Sequence, residues 1–418
     1  MTSGSIPLTD APAVPRVSRK LVASLGLGNI GTFMTWGAVP SVLLALQMND
    51  LDAGSKEANL ALASVLGAII STASQPVWGL LSDRARTRWG RRAPFILTLA
   101  IGGAISMFAI SQASTLWMIV AGWCLIHVLV TGMQGALEAV LPDRVPEALR
   151  GIGAAALGLG AMFGVLIGQL TAAMLVKKGY LIAYGFVALV LVLVAVLFVV
   201  LNPDVDNRDR PREKLDWRSL PAKLWVNPRK HPDFAWTFWG RLLMLLGFNM
   251  VQNFQLYIVM DYIGVGKDAA LGLTPVLAVC SLGASLISIP LSGWLSDRTG
   301  RRKPWVIASA LLIGVALLLP FFSATVPTMI ATASIGGFGF GMYRAVDLSL
   351  ISLVLPNADD NGKDLGIAGI ASNIGDIVAP AASGFVILTL GGYRPLFLVA
   401  FALCVIGAVC VMFVRSVR

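Results

Sequence analysis

The sequence predicts an all-α integral membrane fold: twelve transmembrane helices in two pseudo-symmetric six-helix bundles. Three observations predict it. Apolar runs of roughly 20 residues, the length that spans about 30 Å of hydrocarbon, recur from end to end. Hydrophobic residues make up 56% of the chain and charged residues 13%, too little charge to cover a soluble protein of 418 residues. One charged passage is written twice. Gly79-Leu80-Leu81-Ser82-Asp83-Arg84 leads into Gly90-Arg91-Arg92-Ala93-Pro94, and Gly293-Trp294-Leu295-Ser296-Asp297-Arg298 leads into Gly300-Arg301-Arg302-Lys303-Pro304. The two Asp-Arg pairs lie 214 residues apart, about half the chain.

The elements follow in order. A polar, Pro-containing tail (1–19) has no cleavable signal pattern, so the first span acts as an uncleaved insertion signal. Spans at about 20–47, 57–81, 94–113, 115–141, 150–175 and 181–201 form the first bundle (20–201). Residues 202–234 are the one long polar stretch and read as a linker, with a surface helix around Trp217 to Trp225. Spans at about 235–260, 269–295, 305–323, 326–354, 365–389 and 394–414 form the second bundle (235–414), followed by a short tail (415–418). The repeat reaches beyond the loops. Pro76 and Pro290 each precede their Asp by seven residues, and Leu141-Pro142 and Leu355-Pro356 are again 214 apart. In the fifth span Gly160, Gly164 and Gly168 form a small-residue ladder for close helix packing.

Charge sets the orientation. With the N-terminus in the cytoplasm, cytoplasmic segments hold 25 of the 32 Lys and Arg residues. The other side holds five: Lys56, Lys177, Lys178, Lys267 and Arg394. This asymmetry predicts a multi-pass protein of the cell membrane with both termini cytoplasmic. The net charge of +10 is spread over these loops, so it implies no nucleic-acid partner. Cys124, Cys280, Cys404 and Cys410 fall inside apolar runs and suggest neither a disulfide nor a metal site. With His127 and His231 the only histidines, catalytic zinc is not expected. No nucleotide-binding Gly-rich loop is present, so ATP drive, a cofactor and an enzyme activity are not expected.

The pattern Gly-x-x-x-Asp-Arg…Gly-Arg-Arg resembles the signature between helices two and three of the major facilitator superfamily, and it recurs between helices eight and nine. The resemblance covers nearly the whole chain. It implies a monomeric transporter with a mid-membrane site between its halves, in which access alternates by rocking of one half against the other. The longer first copy, Arg86-Thr87-Arg88-Trp89-Gly90-Arg91-Arg92-Ala93-Pro94, resembles the branch of sucrose transporters and glycoside–pentoside–hexuronide symporters. In both copies a carboxylate at a helix end can pair with the arginines after it. Asp83, Arg84, Arg91, Arg92, Asp297, Arg298, Arg301 and Arg302 are therefore gating candidates, beside the simpler reading that arginines only fix topology.

Charged and polar groups inside spans are the remaining candidates. His127, Thr131, Gln134 and Glu138 fall on one face of span four and suggest a polar cavity wall. The sucrose-transporter branch resembles this stretch in placing a residue seven before a Gln-Gly pair, here Gln134-Gly135. Family members carry a cation-binding Asp at that point, where this chain has His127, and often an Arg where it has Glu138. Carboxylate coordination of sodium is thus disfavoured, a histidine can carry a proton, and uncoupled transport stays open. In span seven Asn249, Asn253 and Tyr257 recur every four residues beside Gln252, and Asn373 lies in span eleven. Amides and hydroxyls both donate and accept, as sugar hydroxyls do. Trp36 would offer a face for a sugar ring or simply pack. His127, Glu138, Arg241, Arg344, Asp347 and Asp376 are candidates for proton coupling; Arg344 and Asp347 are also spaced to pair within one helix, and Arg344 with Asp376 or Arg241 with Asp347 could form static bridges between helices. The leading expectation is proton-coupled symport of a sugar or glycoside. A proton-antiport exporter of drugs or metabolites and a non-transporting receptor or scaffold are the alternatives.

Overall fold

The computed structural model describes the backbone of residues 18–146, 149–204, 206–208, 231–353 and 361–415. The first half contains α1 (Arg19–Leu51), α2 (Lys56–Arg84), α3 (Ala93–Ser111), α4 (Leu116–Arg144), α5 (Arg150–Lys178) and α6 (Tyr180–Leu201). The second contains α7 (Pro232–Asn253), α8 (Lys267–Thr299), α9 (Lys303–Phe322), α10 (Val326–Leu353), α11 (Asn361–Thr389) and α12 (Tyr393–Met412). By length and composition, eleven helices among the described residues qualify as membrane spans. The twelfth expected span is α10, a 28-residue helix packed against α8 and α9. Most of the linker, with its expected surface helix, lies outside the described residues, as does Leu355-Pro356.

Each half is wired identically. In the first, α1 packs on α5 and α6, α2 on α4, and α3 on α4 and α6. In the second, α7 packs on α11 and α12, α8 on α10, and α9 on α10 and α12. The halves meet along α2 with α11 and α5 with α8, a pairing that also maps onto itself when the halves are exchanged.

Local chemistry explains the helix ends. Arg92 and Arg302 cap α3 and α9 with the same backbone angles (φ −98°, ψ −37°), and each helix takes a proline in its first turn, where no N–H is missed. Gly90 (φ 80°) and Gly300 (φ 60°) turn both copies of the loop in a conformation a side chain would strain. The glycine ladder of α5 is used for close approach. A Cβ on Gly160, Gly164 or Gly168 would collide with the carbonyl of Gly26, Ile30 or Met34 on α1.

The first helix of each half is interrupted in mid-course. Pro40 removes a backbone donor from α1, which widens to a π-turn over Val39–Leu43. In α7 the Asn253 side-chain amide donates to the Asn249 carbonyl (2.8 Å), and regular helix stops at Phe254. The chain continues as Gln255–Tyr257 and a π-turn over Ile258–Tyr262.

Candidate functional site

A central chamber of about 720 Å³ lies between α1, α2, α4 and α11. Trp36, His127, Thr131, Gln134, Glu138, Asn373 and Asp376 line it, so the whole polar stripe of α4 faces inward. A lobe of about 250 Å³ adds Asn249, Gln252 and Asn253 from α7 and shares Trp36, His127 and Asp376 with the main volume. Ten of the residues that the sequence singled out, from both halves, are thus brought together at one place.

Their bonds form two chains. In the first half, Trp36 Nε1 donates to Gln134 Oε1 (3.0 Å), and Gln134 Nε2 donates to Glu138 Oε1 (2.9 Å). His127 sits between two indoles, with ring centroids 4.9 Å from Trp36 and 4.3 Å from Trp123. Its Nδ1 and the Trp123 Nε1 are buried without a hydrogen-bond partner among the described residues. In the second half, Asn249 Nδ2 donates to Asp376 Oδ1 (2.6 Å). Glu138 and Asp376 both count as exposed, yet each lines the chamber, so their exposure is to its interior. Neither makes an ion pair within 4.0 Å among the described residues.

Other expected site residues lie elsewhere. Tyr257 does not line the chamber: the break after Asn253 ends the four-residue repeat that would have carried it there. It is fully buried and donates to the Ala45 carbonyl (2.6 Å). Arg241 and Asp347 are paired with each other at 2.6 Å, and Arg241 also donates to Ser372 (3.0 Å). Of the bridges considered, this is the one formed. Asp347 is 5% exposed and outside the chamber lining, so both groups serve first as a clasp between α7 and α10. Arg344 lies over the Phe340 ring, 6.0 Å from its centroid, within electrostatic reach of Asp376.

The chamber runs down to Asp83 and Arg92, on the side of the duplicated loops. There Arg92 bridges Asp83 (2.7 Å) and Asp143 (2.9 Å) and donates to Ser82, while Arg91 binds Asp143 (2.6 Å). Burial works against the charge of Arg91, but Asp143 outweighs it and raises the pKa of Arg91 above its ordinary value. In the second copy Arg302 reaches Asp297 at 3.4 Å. Arg298 lies over Trp294, and Arg84 and Arg301 make no ion pair among the described residues.

The opposite end of the chamber is shut by bonds between the halves. Lys56 pairs with Asp261 and Lys267 with Asp50, each at 2.6 Å. Tyr393 donates to Glu57 (2.7 Å), and Tyr257 reaches Ala45 as described. Sequence reasoning missed this latch. Its signal was a set of charges at the ends of spans on the sparsely charged side of both halves. Ser71, Thr72 and Gln75 of α2, which also line the chamber, form a polar stripe of the kind read on α4 but not sought on α2.

Two matched bundles around a polar chamber, bonded shut at one end, are the build of a membrane transporter. The profile of the Major Facilitator Superfamily matches residues 25–284 and 267–418, and the chain belongs to that family. Among curated relatives it is 25% identical to the multidrug resistance protein MdtG of Enterobacter lignolyticus (strain SCF1), over 91% of this chain and 89% of that one. It is also 25% identical to MdtG of Proteus mirabilis (strain HI4320), over 79% of each. Among solved structures it is similar to the nucleoside transporter NupG (TM-score 0.73, 13% identity, 94% and 99% coverage). It also resembles a bacterial homologue of the human lysosomal transporter Spinster in an inward-facing, unoccupied conformation (TM-score 0.66, 14% identity, 96% and 95% coverage).

Proposed function

We propose that the protein is a proton-coupled symporter for a small hydroxylated solute, a saccharide or glycoside, at the cytoplasmic membrane. The lining of the chamber carries this reading. Amides from both halves (Gln134, Gln252, Asn253, Asn373) converge on it beside the face of Trp36, and such groups match ring hydroxyls and an apolar ring face together. Glu138 and Asp376 face the same space, each held by one neutral amide, so either accepts a proton without breaking an ion pair. His127 is a third proton-carrying group against the same wall. The branch resemblance to sucrose and glycoside symporters points the same way.

The excess of Lys and Arg in the loops supports a cytoplasmic side for the duplicated motif and both termini. The structure then corresponds to a state open to the cytoplasm, with the Lys56–Asp261 and Lys267–Asp50 latch closed outside. The 25% identity to proteins named for multidrug resistance favours a second reading, export by proton antiport.

Uptake of labelled saccharides into proteoliposomes, with and without an imposed pH gradient, separates the two. The symport reading predicts accumulation driven by inward proton flow. It fails if no saccharide is taken up or competes under any gradient. Asp376→Asn and His127→Ala are each expected to abolish concentrative uptake while sparing exchange. Undiminished proton-driven accumulation in either variant removes that residue from coupling.

A further inference from the structure

A separate cavity of about 430 Å³ lies on the side of the duplicated loops, enclosed by the α2–α3 loop, the end of α4 and the start of the linker. That volume is within the range of small-ligand sites. Four arginines line it, Arg86, Arg91, Arg92 and Arg144, against two carboxylates, Asp143 and Asp204. Asp83 binds Arg92 from the chamber side, so a surplus of positive charge remains. Arg144 carries much of it. It donates to the neutral carbonyls of Asn202 (3.0 Å) and Pro203 (3.2 Å) and makes no ion pair among the described residues. Arg86 also donates to carbonyls, those of Asp83 and Ala85, each at 3.0 Å. The linker is stitched over this group. Asn207 Oδ1 accepts from the Thr87 N–H, and Asn207 Nδ2 donates to the Ala85 carbonyl, both at 2.9 Å. Orientation in a bilayer needs basic residues in a loop, but it does not require them to converge on one walled volume. Forked guanidinium donors around a pocket suit a phosphate group.

We infer that this pocket binds the phosphate group of a small soluble phosphomonoester, and that its occupant slows transport. A phosphomonoester carries close to two negative charges at neutral pH and three strong acceptor oxygens, which match the surplus charge and the several donors. Phosphatidic acid offers the same chemistry, but walls made of loop and linker beyond the helix ends favour a ligand arriving from water. The link to transport is competition. Arg91 and Arg92 hold Asp143 at 2.6 and 2.9 Å, and all three line the pocket. A bound dianion draws the same guanidinium groups away from Asp143, and Arg92 carries that pull to the mouth of the chamber, which it also lines. The effect on transport rests on the function proposed above; the binding assignment stands on the pocket alone.

Calorimetric titration of the purified full-length protein with inorganic phosphate and with glycerol phosphate, against chloride at matched ionic strength, tests the pocket. Saturable binding of both is expected, weakened roughly tenfold in Arg144→Gln by loss of a charged donor. Asp204→Asn removes a lining carboxylate and should tighten binding several-fold, a gain that misfolding cannot imitate. No binding above the chloride control, or one affinity in wild type and both variants, overturns the site. Nanodiscs of phosphatidylcholine with and without phosphatidic acid separate the two sources. If phosphatidic acid raises the melting temperature in wild type but not in Arg144→Gln, while neither soluble probe binds, the soluble ligand is overturned. In proteoliposomes, glycerol phosphate on the cytoplasmic face should cut labelled-saccharide uptake several-fold in wild type and leave uptake by Arg144→Gln unchanged. Binding without that effect overturns the control of transport. If no saccharide is carried at all, the saccharide reading fails, while the titrations still decide the pocket.

Discussion

The loop between α2 and α3 and the loop between α8 and α9 share a sequence pattern, a positive-φ glycine and a capping arginine, but among the described residues they do not share their bonds. In the first, Arg92 is 8% exposed and ties the end of α2 to the end of α4 through Asp83 and Asp143. In the second, Arg302 reaches across its own loop to an Asp297 side chain that is 74% exposed. The sequences also differ outside the motif: position 143 is Asp, and the position 214 residues later is Asn357. The motif supplies the arginines twice, and in the first copy Asp143 makes them a clasp. Among the described residues, only the clasped copy borders the chamber.

Four substitutions break or sharpen that contrast. Arg92→Ala should have the largest effect, because it removes the nearly buried guanidinium that joins two carboxylates at a helix junction and leaves only Arg91 beside them; the cost stays below the roughly 3–5 kcal/mol of a fully buried pair. Transport by proteoliposomes should fall at least about tenfold, with a lower melting temperature in detergent. Asp83→Asn keeps the Arg92–Asp143 bond and should cut transport several-fold with membrane insertion intact. Wild-type transport at equal surface expression would end its gating role. Asp143→Asn gives the first copy the pattern of the second by removing the carboxylate that Arg91 and Arg92 both bind, and a several-fold loss is expected, because the Asn carbonyl still accepts a hydrogen bond from them. Arg302→Ala should change transport and melting least, since exposed pairs contribute about 0–1 kcal/mol. If Arg302→Ala costs as much as Arg92→Ala, the asymmetry has no functional meaning.

The fold was open to reading because bilayer thickness and the 214-residue repeat are properties of the linear chain. The stripe on α4 was equally accessible, since helical spacing alone puts His127, Gln134 and Glu138 on one face. Pairings between helices were not. Arg241 had several carboxylates within a helix turn of plausible registers, and its bond to Asp347 depends on how α7 and α10 are set against each other. Tyr257 was misplaced because regular helix was extended through Asn253, whose amide side chain competes for a backbone carbonyl and ends the period. Pro40 carried a similar signal in α1.

Those two interruptions have a mechanical consequence. Trp36 and Asn253, which border the chamber, sit just before the breaks; Ala45 and Tyr257, which fasten the far end, sit just after them. In the proposed symporter, grip on cargo and release of the roof would be carried by opposite arms of the same two helices, each with a break in its regular bonding between. Cargo that tilted the lower arms would strain the fastening above directly, with no relay through the remaining ten helices.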